Sequence, residues 1–463
     1  MRAAAPRARR RAGATIAALL AFASGCSQRA PYEPSPIELP SSYLHAGRIA
    51  AGSSVLSADW WRNADDPQLE RLVDAAMLAN LDVSIAATRI REAEALREAA
   101  SGARVPTLDG TASASLGSSG RSSGANALAS WSLPLGAPAD LAERAAAERV
   151  GAAQARAEAV RLVLLSDLLV AYTDLRHSHE MLEIVRARIG NLSRLAHRSS
   201  ARSDVGLDSA LSVDRAQARL HELRAVVPGI EASRDRTMLA IATLAGVYAG
   251  DMAGMLSEPP SGLRPDRSLP GIGLPAEMVR RRPDVNAREY ELAAAMAEIG
   301  IAQSALLPQL RVNGDLAIGP TGGLASLWSL APSVSIPILG RSALRSGVDA
   351  RVARARQAQL EWQRSVRDAV GDVERAMVDI RRAGSTLASL DQAIRARRSA
   401  RRRTAEAFEL GVGDADEAIE AVDDLLEQEA ARLTARRDLA HAWIDLHVGL
   451  GMGKPAIRRV ASR

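Results

Sequence analysis

Apolar positions along the chain fall into two rhythms. Leu168, Leu175, Leu182 and Ile189 recur every seven residues, with Ala171, Val185 and Leu192 three further on. Later, Val366, Val373, Ile380, Leu387 and Ile394 keep the same spacing, accompanied by Ala369, Ala376, Ala383 and Leu390. A seven-residue repeat is the seam of helices that coil about one another. Each seam belongs to a helical block of about 65 residues, the first from near Pro138 to about Ser203, and such a block is about 95–100 Å long. No ordinary globular core has that length. Alanines beside the seam let helices approach closely, as in a packed helical tube. Asp66-Pro67 opens a further helical stretch that runs to about Arg104, where Pro106 ends it.

The second rhythm has period two. From Gln309 to Ile318, Leu310, Val312, Leu316 and Ile318 take one face, and Gln309, Arg311, Asn313 and Asp315 the other. After "GPTGG" the alternation resumes, with Trp328, Leu330, Val334, Ile336 and Ile338 against Ser329, Ser333 and Ser335. Period two means strand, and a glycine-rich link between two strands means hairpin. A weaker counterpart lies earlier. There Leu108, Ala112, Ala114 and Leu116 alternate with polar residues, "GSSGRSSG" turns the chain, and Leu128 to Leu135 return. Strands of about ten residues can cross a bilayer when tilted. Apolar-out, polar-in alternation is the signature of a transmembrane barrel. Four strands cannot close one, because even small barrels need about eight. Open edges are not tolerated in lipid, so hairpins placed in a membrane require several chains to share one barrel.

The landmarks repeat at one offset. "RRRPDVNARE" (280–289) is echoed by "NLDVSIAATR" (80–89), so that Asp284 stands 202 positions after Asp82. Leu307-Pro308-Gln309-Leu310 stands at the same distance after Val105-Pro106-Thr107-Leu108. Two pairs of landmarks at one spacing indicate a duplicated unit.

The formal charge of +5 and pI near 9.9 invite a polyanion-binding reading. The first 25 residues, however, hold five arginines and no acid, so the remainder is neutral and no nucleic-acid partner is implied. That basic start precedes an apolar run from about Ala12 to Ala23, too short to span a bilayer and proportioned as a signal peptide. Cys26 is the sole cysteine, which excludes a disulfide framework and a thiol metal site. It stands after Ser24-Gly25, where a bacterial lipoprotein carries its lipidated cysteine. No later segment offers the ~20 uninterrupted apolar residues of a membrane helix. Enzymes leave other traces: the chain has no GxxxxGK[ST], GxSxG or HExxH, and no cofactor is expected. His177 and His179, two apart on a helix, point to different faces and read as surface residues. "ARRSARRR" (396–403) reads as a solvated helix face.

The sequence resembles the TolC-like outer-membrane efflux proteins, in particular their lipoprotein branch. The resemblance rests on "LPAEMVRRRPDVNAREYELAAAMAEIGIAQSALLPQL" (274–310), with "DWWRNADDPQLERLV" (59–73), "LASWSLPLG" (128–136), "AYTDLR" (171–176) and "VSIPILGRS" (334–342). It covers nearly all of the mature chain. It implies a mainly α fold with a small β part: a homotrimer whose four strands per chain form a twelve-stranded outer-membrane barrel, continued by a periplasmic helical tunnel. Asp82 and Asp284 then mark the entries of helices that lead to the hairpins. The implied order is a lipoprotein signal peptide (1–25), an extended segment (26–65), a first repeat (66–250, hairpin about 105–135), a second repeat (274–452, hairpin about 308–339) and a tail (453–463). With two phenylalanines and five tyrosines the barrel's aromatic girdles are thin, and Trp131 and Trp328 supply part of one.

The resemblance also implies sites. Val205-Gly206-Leu207 and Leu410-Gly411-Val412 match the tips that meet a periplasmic adaptor protein, although glycine there also suits a plain helix-ending turn. Past the second tip, Glu417, Glu420, Asp424 and Glu427 share one helical face, and Ile419, Val422, Leu426 and Leu433 form a packing face. Glu417 and Glu420 occupy the family's gate positions, six and nine residues after Gly411, where aspartate is usual. Arg215 and Arg219 are the expected counter-charges. The implied function is a passive outer-membrane exit duct for small molecules, driven through the adaptor by an inner-membrane transporter of the resistance-nodulation-division type. The competing readings are the duct of a type I protein-secretion system and a lipid-anchored periplasmic coiled-coil scaffold.

Overall fold

The computed structural model describes residues 36–45, 59–64, 66–117, 120–134, 136–206, 209–256, 272–318, 327–413 and 415–453. The expected signal peptide, Cys26 and Leu207 lie outside these residues, as does all of the tail beyond Gly453. After a 3-10 turn at Trp60–Ala64 the elements are α1 (Pro67–Ala79), α2 (Leu81–Gly102), β1 (Thr107–Gly117), β2 (Gly120–Pro134), α3 (Pro138–Ser203), α4 (Ala210–Leu244) and α5 (Ala249–Met255). The series then repeats with α6 (Pro275–Arg281), α7 (Pro283–Ser304), β3 (Gln309–Ile318), β4 (Leu327–Ser335), α8 (Arg341–Glu409) and α9 (Ala415–Gly449). The duplication is visible in the bounds. Both α2 and α7 have 22 residues, and both α4 and α9 have 35. The chain divides into two compact units, one comprising 1–38, 88–155 and 284–365, the other 39–87, 156–283 and 366–463.

The first unit holds one antiparallel sheet in the order β1-β2-β3-β4. Its register joins the two hairpins into a single two-faced surface. Leu108 pairs with Ala129, Ala129 with Gly314, and Gly314 with Leu330, so most apolar positions of the four strands fall on one face, Leu128 being the large exception. That face also carries Ala112, Ala125, Ala127, Trp131, Val312, Trp328 and Val334. Its larger side chains are uncovered within one chain: Leu108 is 74% and Trp328 75% exposed. The opposite face carries Thr107, Asp109, Thr111, Leu128, Ser130, Arg311, Asn313, Asp315, Ser329 and Ser333. Trp131 and Trp328 pair with Val312 and Leu316, so they stand at two levels of the apolar face. The Trp131 indole donates to the Arg104 carbonyl at 3.2 Å, tying β2 to the chain end of α2.

One expectation about the first hairpin is corrected. Gly117 pairs with Gly120, and β2 is already a strand from there, so most of "GSSGRSSG" lies in the sheet rather than in a turn. Serine and glycine conceal this, because they give no apolar alternation to read. The stretch from Asp66 to Arg104 is also not one helix. Asn80 interrupts it, accepting from the Asp82 and Val83 amides at 2.9 and 3.1 Å and donating to the Leu244 carbonyl at 3.0 Å. Asn80 thus caps α2 and spends its remaining donor on the end of α4.

In the second unit the heptad seams are buried. Leu168, Leu175, Leu182 and Leu192 on α3, and Val366, Val373, Ala376 and Ala383 on α8, are all under 5% exposed. Asp66 caps α1, accepting from the Gln68 and Leu69 amides, and its other oxygen receives the Tyr172 hydroxyl at 2.7 Å. Burial and this neighbouring carboxylate push the Tyr172 hydroxyl well above the usual phenol range. Trp60, Trp443 and His447 form a buried ring cluster, with centroids 3.9–4.9 Å apart. Burial pulls the His447 imidazole down to about 4, so it is neutral at pH 7. Arg282 of the Arg-Pro-Asp motif donates to Asp372 on α8 at 2.9 Å, and Pro283 opens α7 at a position where no amide proton is needed. His177 is half-buried beside Leu433 and Arg437, not a surface residue; α9 covers it, and burial lowers its pKa. No described helix is long and apolar enough to cross a membrane, which leaves the sheet's apolar face unexplained by any helical span.

Candidate functional site

The ends of α3 and α8 reverse through the two expected tips, both in the second unit. After α8, Gly411 adopts φ +79°. The Val412 amide then bonds the Ala407 carbonyl at 3.1 Å and the Gly411 amide bonds that of Phe408 at 3.1 Å. This pair of bonds satisfies the last carbonyls of α8 and requires a left-handed residue. Gly206 repeats the conformation at φ +76°, its amide bonding the Ser203 carbonyl at 3.0 Å. An added Cβ would meet nothing within 4 Å at either glycine, so both are set by backbone conformation and not by crowding. The turns push apolar side chains outward: Val205 is 69%, Leu410 79% and Val412 82% exposed.

Behind the tips a small core joins the four helix ends. Leu192 and Ala196 of α3, Ala216 and Leu220 of α4, and Ile419 of α9 pack together. Phe408 and Ala418 close on Leu195 beside them. Arg202 lies over the Phe408 ring at 4.9 Å, and Arg198 donates to Glu409 at 3.0 Å.

Charge is arranged around this core in a way that departs from expectation. Arg215 and Arg219 do not close on Glu417 and Glu420. Arg215 donates to Asp416 at 2.6 Å, and Arg219 donates to Asp423 at 2.6 Å and to Glu222 at 2.8 Å. Arg188 of α3 reaches the same Asp423, through Nε at 3.0 Å and through a second guanidinium nitrogen. Asp423 is therefore held between two arginines with its side chain 13% exposed. Hydrogen bonds to Asp423 and then Glu222 push the Arg219 guanidinium further up. Asp424 pairs with Arg397 of α8. The reason is angular. Asp416 and Asp423 are a heptad apart, beside the buried Ile419, and so face α3 and α4. Glu417, Glu420 and Glu427 stay exposed, Glu420 and Glu427 along the same groove, and among the described residues Glu417 and Glu420 have no ion-pair partner. The open groove between α4 and α9 is lined by Arg215, Arg219, Asp416, Glu420 and Asp423.

Sequence reasoning missed Asp416, Asp423 and Arg188 as members of the site. Their partners lie 201 to 235 positions away, so no local pattern joins them. Among the described residues no group of histidines, cysteines or acids could hold a metal.

Comparisons with known proteins agree with this architecture. Nodulation protein T of Rhizobium leguminosarum bv. trifolii is 28% identical over 449 residues, 93% of this chain and 95% of that protein. The pyoverdine export outer membrane protein OpmQ of Pseudomonas aeruginosa is 27% identical, covering 97% of this chain and 98% of its own. The solved structure of the outer-membrane channel OprN superposes with a TM-score of 0.85 at 27% identity, covering 92% of this chain and 99% of that one. The model of the family described as outer membrane efflux protein matches residues 72–247 and 274–452, and the chain belongs to that family.

Proposed function

We propose that this protein is the outer-membrane exit duct of a tripartite efflux pump, assembled from three copies. The observation that carries the reading is the four-stranded sheet. It has one uncovered apolar face, one polar face, and two edge strands, β1 and β4, with a single neighbour each among the described residues. A lone chain with such edges is unsuited to lipid, whereas three copies joined β4 to β1 make twelve strands without an edge. The polar face would then line an aqueous path. The long coiled helices would continue that path through the periplasm as a tunnel.

In this reading residues 1–25 are removed as a lipoprotein signal peptide and Cys26 carries lipid. The repeats at 66–250 and 274–452 each supply one hairpin, and residues 453–463 form a tail. The exposed apolar tips, Val205-Gly206-Leu207 and Leu410-Gly411-Val412, receive a periplasmic adaptor, through which an inner-membrane transporter of the resistance-nodulation-division type drives export. Glu417 and Glu420, without ion-pair partners among the described residues, would recur three times around the periplasmic end as an acidic gate. Arg215–Asp416 and Arg188–Asp423–Arg219 would be the clamp that holds this end closed. The duct catalyses nothing and takes no cofactor.

The test is reconstitution. The purified protein should have the mass of three chains in detergent, remain in outer membranes after alkaline washing, and give conductance steps in planar bilayers. A protein released by alkali once Cys26→Ser removes its lipid, and silent in bilayers, would be a periplasmic scaffold instead.

A further inference from the structure

Three charges of the sheet share the polar face at two levels. On the polar face of the described strands the charged residues are Asp109, Arg311 and Asp315, all exposed. Asp109 pairs with Leu128, and Leu128 with Asp315, so the two carboxylates stand on one register row of the sheet with an apolar residue between them. Arg311 lies four residues before Asp315 on β3, about 13 Å nearer the helical end. Among the described residues none of the three has an ion-pair partner. Two interstrand spacings separate the aspartates, roughly 9–10 Å. That distance is too great to chelate an ion or share a proton, and short enough for the two fields to add.

We infer that this row is the duct's outer ion filter, independent of the acids at the helical tips: Asp109 and Asp315 favour cationic over anionic solutes, and Arg311 opposes them one level below. The inference rests on the proposed three-copy barrel. Twelve strands spaced about 4.8 Å apart and tilted about 40° enclose a radius of about 12 Å. Three copies place six carboxylates at one level and three guanidiniums at the other. In 0.1 M salt the screening length is about 10 Å, so inward-pointing carboxylates act on an ion at the axis, and at 0.01 M, where it is about 30 Å, they act strongly. Charge rings of this kind set cation or anion preference in pores. Leu128, placed between the aspartates, supplies no competing donor.

The experiment measures the potassium-to-chloride permeability ratio in planar bilayers, in the Glu417→Gln/Glu420→Gln background so that the tip acids cannot mask the effect. Asp109→Asn with Asp315→Asn should lower the ratio at least about twofold at 0.1 M salt, and more at 0.01 M. Arg311→Gln should raise it. Single Asp315→Ser, polar on a face already rich in serine, gives a second reading if the double variant inserts poorly; it should lower the ratio by a smaller factor. Normal conductance with an unchanged ratio in these variants overturns the filter and leaves the duct intact. A wild-type protein that gives no conductance overturns the duct itself, and the filter with it.

Discussion

The two repeats share a backbone and differ in charge. Aligned on Gly206 and Gly411, α4 and α9 start four residues after the glycine and run for 35 residues each. Yet Glu420 stands where the first repeat has Arg215, Asp424 where it has Arg219, and Asp423 where it has Ala218. The carboxylates that Arg215 and Arg219 meet, Asp416 and Asp423, stand where the first repeat has the uncharged Leu211 and Ala218, so the pairs arise from acids that only one copy carries. The sheet took the opposite course: both hairpins keep the same apolar and polar faces, because the surroundings of each face admit only one kind of side chain. Backbone frame is inherited; charge is free to diverge wherever the two copies meet.

The largest expected effect tests the conserved frame. Arginine on the apolar face should impair membrane assembly equally in either hairpin, as Ala127→Arg or Val312→Arg, since a lipid-facing charge at mid-depth costs about 2–4 kcal/mol. Arginine on the polar face, as Thr111→Arg or Asn313→Arg, should assemble normally. The yield of detergent-extracted trimer reads this directly, and equal damage from both faces would mean that the hairpins are not membrane strands. A smaller effect tests the divergence. Asp423→Ala makes the two repeats alike at this position and strands Arg188 and Arg219. It should cost about 2 kcal/mol in denaturant unfolding and raise resting conductance, less than a fully buried pair would because Arg219 keeps access to water and Glu222. Asp423→Asn, which keeps the shape and one acceptor, should recover part of that stability but not the closed state. Smallest is the tip itself. Gly206→Ala and Gly411→Ala should each cost about 1 kcal/mol, alike in the two repeats, because only left-handed conformation is at stake. A markedly larger cost at one tip would show that its glycine has a contact that the other lacks.

Much of the frame was legible in the sequence because it obeys a period. The seams of α3 and α8, and β3 with its alternation, follow from spacing alone. So does the Asp66 cap, which announces itself by Asp-Pro. The first hairpin was blurred because Ser122, Gly124 and Ala125 satisfy strand geometry without an apolar rhythm. Asn80 caps α2 locally, through the Asp82 and Val83 amides, and only its bond to the Leu244 carbonyl, 164 positions on, leaves no local trace. The partners of Arg215 and Arg219 differ from the expected ones by a fraction of a helical turn. Glu417 and Glu420 lie within four residues of Asp416, and only packing against Ile419 decides which carboxylates face α4. The Trp60, Trp443 and His447 cluster joins residues some 390 positions apart and left no local trace.

The open edges of the sheet also bear on genetics. If three copies must lend β1 and β4 to one another, a chain that pairs correctly on one edge and fails on the other can enter an assembly and leave it unclosed. With defective and normal chains made in equal amounts and mixed at random, only about one assembly in eight would be wholly normal. An edge-strand allele would therefore be dominant over the wild type. A lesion that stops the chain from folding at all would be recessive, because it never reaches its partners.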